Sequence, residues 1–326
     1  MKSQSNQILR KMIPGIIFGF LVLLAILLVG DLKQVGRNIY EFDWMMMPAV
    51  LALTLFNYTL RFVKWHYYLN LVGIKNLPVL TSLKLFIGGF PLAVTPGKVG
   101  EVLKGVWLNK QTGLPVARGV SVVVAERISD GLAVLFLSLA GVVVYPQFWP
   151  AFILVLVGLL SIVVVSQIRP AALWILDKGA NIRFIKKIMH NLREFYEGSY
   201  ILFNARATLT AVSLGFVSWL GEGIGFFLIL KGLGLEVNFN LLAFAVFVLS
   251  FSTVVGAASA LPGGLGAAEA SIAGMLGLYG ISPSIASSAT LLIRLATLWF
   301  GVFLGLLTWA MSPRLFGLVE EKDDPD

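Results

Sequence analysis

The sequence predicts an all-α protein that crosses a membrane many times, on three observations. Hydrophobic residues make up 58% of the 326 residues, charged residues only 13%, and the mean hydropathy is +0.87, a composition outside the usual range of soluble domains. The apolar runs are separated by short loops rich in lysine and arginine, as in polytopic membrane proteins. A polar Pro-Gly-x-x-Gly motif occurs twice inside apolar sequence, at 96–100 and 262–266. We therefore predict one transmembrane domain with six full spans and two re-entrant helical hairpins.

Composition also excludes several classes of function. The chain has no cysteine and only two histidines, His66 and His190, which lie far apart. This excludes disulfides, thiolate nucleophiles and cysteine-ligated zinc, and we expect neither a metal nor another cofactor. The net charge of +8 comes from basic loops of the kind that orient membrane spans, so we do not expect nucleic acid as a partner.

The first two spans follow from apolar length and flanking charge. Ile13 to Gly30 is apolar and is not followed by a small-x-small cleavage site, so we interpret it as a span and not as a signal peptide. The less basic segment from Asp31 to Trp44 is predicted to be an outer loop. Met45 to Tyr58 starts the second span, and its basic and aromatic end is expected at the cytoplasmic headgroups. That end contains Arg61, Lys64, Trp65, His66, Tyr67 and Tyr68.

The first hairpin is predicted around the first motif. Val79 to Phe90 is apolar apart from Lys84 but shorter than the roughly 20 residues that cross the hydrocarbon core. Prolines follow it, and Val99 to Asn109 then has a helical pattern. A broken segment is tolerated inside a membrane only where protein or a water-filled cavity surrounds it. We therefore predict a re-entrant hairpin that opens to the cytoplasm.

A long helix with buried charges is predicted next, from Val116 to Tyr145. Its cytoplasmic half carries Glu126, Arg127 and Asp130, whose spacing lets them meet near one helical face. Phe152 to Ser166 is then predicted to return to the cytoplasm.

The longest polar segment, Ile168 to Ala207, is rich in basic residues and is predicted to be cytoplasmic. Apolar residues between Phe184 and Phe195 recur at helical spacing with basic residues between them. This pattern fits a helix lying in the membrane interface, and it fits a helix packed on the transmembrane bundle equally well. Thr208 to Leu230, which contains Glu222, is the next predicted span.

The second motif lies in a second predicted hairpin. Its arms are Leu241 to Val255 and Ser259 to Gly280, with Glu269 as the ionisable residue, and it is predicted to open outward. Ser282 to Met311 is the last predicted span, with Arg294 near its middle.

The two parts of the chain read as repeats of each other. The motifs align at an offset of 166 residues, and Arg127 and Arg294 align at 167. Because three spans separate the hairpins, we predict an inverted-topology repeat with halves at 1–146 and 147–312 and with both termini cytoplasmic. The acidic tail at 313–326 is predicted to be disordered. The alternative topology treats the hairpin arms as full spans.

Ionisable residues inside apolar sequence are the candidates for function. Each costs at least about 2.5–3.5 kcal/mol at the bilayer centre, so it needs a partner or a polar cavity. One possibility is simple pairing, in which Arg127 joins Glu126 or Asp130. Arg294 would then join Glu222 or Glu269. The other possibility is that the set lines a cavity that binds a substrate. The candidate substrate-binding residues are Pro96, Gly97, Lys98, Gly100, Glu101, Lys104, Glu126, Arg127, Asp130, Glu222, Pro262, Gly263, Gly264, Gly266, Glu269 and Arg294.

The chemistry of these residues favours an anionic ligand. Glycines expose backbone N–H groups at the start of a half-helix, where the partial positive charge favours phosphate. Arginine adds bidentate donors for the same group. Such a site near the midplane suits an anionic lipid headgroup whose chains stay in the membrane, so we expect membrane lipids as partners and a lipid translocator as the function.

Enzyme motifs are incomplete in this sequence. The segment 264–269 lacks the last glycine of a dinucleotide fingerprint, 96–99 lacks the Ser/Thr of a phosphate-binding loop, and there is no Gly-x-Ser-x-Gly. We therefore expect no catalytic residues. Two alternatives stay open: a membrane enzyme that modifies a lipid headgroup by aminoacyl or glycosyl transfer, and a regulatory membrane subunit without turnover.

The motifs also carry a family resemblance. TPGKVGEVLKGVWLNKQTGLPVARG at 95–119, AERISD at 125–130 and ALPGGLGAAEA at 260–270 are similar to segments of the flippase-like transmembrane family related to the membrane part of lysylphosphatidylglycerol synthases. The resemblance covers nearly the whole chain, although Lys98 stands where family members often have arginine. It implies a multi-pass inner-membrane protein that moves lipids, such as aminoacylated phosphatidylglycerol or polyprenyl-linked molecules. Full-length synthases add a soluble aminoacyl-transfer domain, and we expect no such activity here.

Overall fold

The computed structural model describes residues 2–95, 100–180 and 186–318, and every regular element in these ranges is helical. The α-helices in these ranges are α1 Lys2–Val29, α2 Leu32–Tyr40, α3 Met47–Leu71, α4 Val79–Gly88, α5 Leu103–Thr112, α6 Val116–Val144, α7 Trp149–Ser166, α8 Arg169–Ala180, α9 Lys186–Leu202, α10 Ala205–Gly232, α11 Phe239–Ala258, α12 Ala267–Leu278, α13 Pro283–Arg294 and α14 Phe300–Met311. Short 3-10 turns at Phe90–Val94 and Pro262–Gly264 follow α4 and α11, and a π-helical segment, Leu295–Trp299, joins α13 to α14.

Five helical segments among the described residues are long and apolar enough to cross a membrane. They are Trp44–Leu71, Pro146–Ser166, Ala205–Gly232, Phe239–Ala258 and Pro283–Met311. A sixth candidate is the pair Ile13–Val29 and Leu32–Tyr40, which bends by 95° at its break. The helices therefore have the lengths and composition of a multi-pass membrane protein.

Four of the five segments coincide with predicted spans. The fifth, Phe239–Ala258, is predicted from the sequence as a hairpin arm, but at 20 residues it is long enough to cross a membrane by itself, as in the alternative topology. The first hairpin differs, because α4 has only 10 residues before the turn at Phe90–Val94.

The predicted outer loop from Asp31 to Trp44 is wrong in part, because most of it is the helix α2. Asp31 starts this helix, since its side chain accepts a hydrogen bond from the Lys33 backbone N at 3.0 Å. Val35 is buried while Arg37 is exposed, so one face packs on the protein and the other is polar. The charged residues on that polar face are the reason that the sequence predicts a loop here.

The start of the predicted disordered tail is also ordered. Residues 313–318 form turns, and Phe316 is buried with its ring centroid 6.1 Å from that of Trp309. Residues 319–326, which carry the acidic sequence, lie outside the described residues.

Residue contacts divide the chain into two compact units. Unit 1 contains Met1–Thr54, Lys84–Glu101 and Glu222–Asp326, and unit 2 contains Leu55–Leu83 and Val102–Gly221.

Unit 2 is built around α6. Helices α5, α7 and α9 pack on it, and α8 packs on α9. Contact with α5 is close because two glycines meet: a Cβ on Gly119 would lie 2.8 Å from the Gly105 Cα. On α9, Gly198 faces Ser121 of α6 and Glu194 pairs with Arg118 at 2.7 Å. Of the two sequence-based interpretations, the described part of α9 thus follows the one in which the helix packs on the bundle.

Unit 1 contains the second motif, in the turn between α11 and α12. These two helices pack against each other, and the turn brings Gly264 onto Gly256 of α11. The backbone φ angles of Gly263, Gly264 and Gly266 are +61°, +68° and +84°. Residues other than glycine disfavour positive φ angles, so the glycines of the motif are needed for the break between the two helices.

Replacing Gly264 with alanine is expected to cost at least about 2 kcal/mol of stability, since it adds left-handed strain and overpacking. A Cβ there would lie 2.9 Å from the Gly256 Cα, a backbone atom that cannot easily move. Gly274→Ala in α12 is the matched control, because nothing lies within 4 Å of its added Cβ and alanine favours a helix. Denaturant titration of the purified variants measures both effects, and equal stability of the two variants would contradict the prediction.

Candidate functional site

Six buried or half-buried charged residues meet in unit 2, and we call them the α6 charge cluster. Three come from α6 itself, two from α3 and one from α5. The cluster consists of Arg61, Lys64, Lys104, Glu126, Arg127 and Asp130.

Glu126 is the centre of the cluster, and its side chain is 0% exposed. One carboxylate oxygen, Oε1, accepts from Arg127 Nη2 at 2.6 Å and from Arg61 Nη2 at 3.1 Å. The other, Oε2, accepts from Lys104 Nζ at 3.4 Å. A single carboxylate therefore holds cations from three helices together.

Asp130 extends the cluster by one helical turn. Its Oδ1 accepts a hydrogen bond from Lys64 Nζ, a fully buried ammonium group. Its Oδ2 lies 3.3 Å from Arg61 Nε and 3.9 Å from Arg127 Nη2. Arg61 and Arg127 thus contact both carboxylates, which orders their guanidinium groups.

Two aromatic rings cover the cations of the cluster. Lys104 Nζ lies 5.1 Å from the ring centroid of Trp65, and the Arg61 guanidinium carbon lies 5.7 Å from that of Trp219. Both distances fall within the range of cation–π attraction. The rings partly replace water around charges that the helices bury.

The cluster has more positive than negative charge. Among its six residues, four are cations and two are carboxylates. Arg127 has the most exposed side chain of the set, at 33%. The arrangement can therefore present a guanidinium group that an anion could reach, beside further positive charge.

Sequence reasoning missed two members of this cluster. Arg61 and Lys64 are absent from the predicted site residues, whereas the structure buries both side chains against Glu126 and Asp130. The signal was their spacing of three residues, which puts them near one face of α3. A second signal was the excess of negative charge on α6. Glu126 and Asp130 lie beside the single cation Arg127, so another helix had to supply a further cation.

Unit 1 has a smaller network around Arg294, which we call the Glu269 lock. Arg294 Nε donates to Glu269 Oε1 at 2.5 Å, and Arg294 Nη2 donates to the Gly263 carbonyl oxygen at 3.0 Å. Glu269 Oε2 accepts from the backbone N of Gly266 at 2.6 Å and so caps the start of α12. In the Glu269 lock one cation therefore pairs with one carboxylate, and the same cation holds the Pro262–Gly264 turn through a hydrogen bond.

Three other predicted site residues, Gly100, Glu101 and Glu222, are also among the described residues. The backbone N of Gly100 donates to Thr95 Oγ1 at 3.0 Å, while Glu101 and Glu222 are buried in unit 1. Pro96, Gly97 and Lys98 lie outside the described residues. In the ranges that the structure describes, no group of three histidine, aspartate or glutamate residues is arranged to hold a metal ion.

The helices and the buried charges together define a polytopic α-helical membrane protein with a polar interior. The family model for the transmembrane region of lysylphosphatidylglycerol synthase matches residues 16–305 of the chain. The chain belongs to this family, as its two Pro-Gly-x-x-Gly motifs and the AERISD segment predict.

UPF0104 membrane proteins of two organisms are similar to the chain over nearly its full length. A UPF0104 membrane protein of Methanothermobacter thermautotrophicus is 25% identical over 311 residues, which cover 88% of this chain and 89% of that protein. A UPF0104 membrane protein of Methanocaldococcus jannaschii is 23% identical and covers 92% of this chain and 94% of its own length. No solved structure matches the chain.

Proposed function

We propose that the protein is a lipid translocase that moves an anionic phospholipid or polyprenyl-linked lipid between membrane leaflets. The observation that carries the proposal is the α6 charge cluster, in which two carboxylates of the apolar helix α6 hold four cations. Burying charge in a membrane protein is costly, and such charges commonly mark a substrate path.

The composition of the cluster supports an anionic ligand. Two carboxylates hold four cations there, whereas in the Glu269 lock one carboxylate pairs with one cation. Positive charge concentrated in this way attracts a negatively charged headgroup. Guanidinium groups bind phosphate through two parallel hydrogen bonds, which makes a phosphate-bearing headgroup the best match.

The topology that we propose has six spans and two re-entrant hairpins in an inverted repeat, with halves at 1–146 and 147–312 in a cell membrane and both termini cytoplasmic. The repeated motif, the basic loops and the glycine turn between α11 and α12 support it. Transporters of this design bind their substrate near the bilayer midplane, where broken helices meet. Alternating exposure of that site would carry the headgroup across.

Replacing Arg127 with alanine is expected to slow the leaflet transfer of an anionic lipid at least about tenfold, because a hydrogen bond to a charged group contributes about 1.5–3 kcal/mol. The assay is dithionite quenching of NBD-labelled phosphatidylglycerol, with phosphatidylcholine for comparison, in liposomes that contain the protein. Arg127→Lys keeps the charge without the bidentate geometry, so an intermediate rate is expected.

Arg118→Ala is the matched control, since Arg118 lies on the same helix but pairs with Glu194 of α9 outside the cluster. Its transfer rate is expected to match that of the wild type. An Arg127→Ala rate equal to the wild-type rate, or wild-type transfer no faster than in protein-free liposomes, would contradict the translocase proposal. A lipid product of changed mass would instead indicate an enzyme that modifies the headgroup.

A further inference from the structure

Asn57 on α3 carries a polar group that the α6 charge cluster does not use. Its side chain is 0% exposed, and neither Oδ1 nor Nδ2 has a hydrogen-bond partner among the described residues. A buried amide without partners is unfavourable and rare in folded proteins. The residue therefore fits a site in which a ligand supplies the missing partner.

The position of Asn57 places it beside the cluster. Arg61 and Lys64 follow it by four and seven residues, a spacing that shares one helical face, and both contact Asp130. Trp219 reaches the same place from α10, with its ring 5.7 Å from the Arg61 guanidinium carbon. Its Nε1 is also buried, and no residue that the structure describes accepts a hydrogen bond from it.

We propose that Asn57 and Trp219 form a subsite that recognises hydroxyl groups on the lipid headgroup, next to the phosphate held by the cluster. This inference rests on the proposed function and narrows its substrate class. An amide both donates and accepts, a hydroxyl does the same, and the indole N–H adds a second donor. Arginine and lysine only donate, so the cluster selects negative charge while the subsite selects headgroups that carry hydroxyls.

Competition between two probe lipids of equal charge tests the subsite. The full chain is purified in detergent with equimolar phosphatidylglycerol and phosphatidylpropanol, which differ in their headgroup hydroxyls, and the retained lipids are measured by native mass spectrometry. The wild type is expected to retain phosphatidylglycerol in roughly tenfold excess, since the other probe leaves a buried polar group without a partner. Asn57→Leu is expected to bring the ratio close to one while both lipids are still retained.

Asn70→Leu is the matched control on the same helix. Asn70 is exposed and its Nδ2 donates to the His66 carbonyl oxygen at 3.0 Å, so the ratio is expected to stay at the wild-type value. Equal retention of the two probes by the wild type, or an unchanged ratio in Asn57→Leu, would overturn the subsite.

Trp219→Phe provides a second variant that keeps a ring over Arg61 and removes only the N–H group. It is expected to lower the ratio by a few-fold, and an unchanged ratio would overturn the role of Trp219 even if Asn57→Leu does not fold. The liposome assay separates the two proposals. A hydroxyl preference without leaflet transfer contradicts only the translocase, whereas transfer with equal retention of both probes contradicts only the subsite.

Discussion

Glu126→Gln is expected to destabilise the protein by about 3–5 kcal/mol, the usual loss when one partner of a buried ion pair is removed. Glu126 accepts hydrogen bonds from Arg61, Lys104 and Arg127 and is fully buried. Without its charge, Asp130 would be the one carboxylate left among the residues of the α6 charge cluster. Unfolding by dodecyl sulfate in mixed micelles measures the difference from the wild type.

Two further variants show whether the loss comes from buried charge. Glu197→Gln removes a partly exposed carboxylate that lies 3.3 Å from Arg169 and is expected to cost no more than about 1 kcal/mol. Adding Lys104→Met to Glu126→Gln is expected to restore part of the stability. The double variant no longer contains the Lys104 ammonium group, which in Glu126→Gln has lost the negative charge of Glu126. A Glu126→Gln loss as small as that of Glu197→Gln would show that the cluster is not held by its ion pairs.

Arg294→Met is expected to have an effect of similar size, about 3–5 kcal/mol. Arg294 forms an ion pair with Glu269, whose side chain is 1% exposed, and it also donates a hydrogen bond to the Gly263 carbonyl oxygen. Losing the guanidinium leaves the Glu269 charge buried and frees the Pro262–Gly264 turn. The same micellar unfolding titration applies.

Neutralising Glu269 is expected to restore part of the stability that Arg294→Met loses. Adding Glu269→Gln removes the buried negative charge, while the glutamine oxygen can still accept from the backbone N of Gly266. The double variant is therefore expected to be more stable than Arg294→Met alone. Arg37→Met, which breaks an exposed pair with Glu41, serves as the control and is expected to change stability by less than about 1 kcal/mol. If the double variant is no more stable than Arg294→Met, the loss of stability comes from packing and not from the buried charge.

Much of the fold could be predicted from apolar length and periodicity. The long helix expected from Val116 to Tyr145 is α6, Val116–Val144, and the last predicted span coincides with the segment Pro283–Met311. The contacts of Arg127 with Glu126 and Asp130 also follow from their spacing on one helix. These features depend on residues close together in the chain.

The helix α2 and two cations of the site could not be predicted in this way. Helix α2 was expected to be a loop because its exposed face is charged, while Val35 buries the opposite face. Arg61 and Lys64 are absent from the predicted site, since the sequence assigns positive charges at the end of a span to the headgroup level. Their burial depends on carboxylates 65 and 66 residues further along the chain.

The sequence by itself determined the membrane class, most of the long helices and the pairing of charges within α6, because hydropathy and helical spacing are local properties of the chain. Only the tertiary structure decided that α3 and α5 bring three more cations to Glu126 and Asp130, and that Arg294 closes on Glu269. Contacts between distant helices depend on which faces pack together. Spacing along one helix carries no information about that choice.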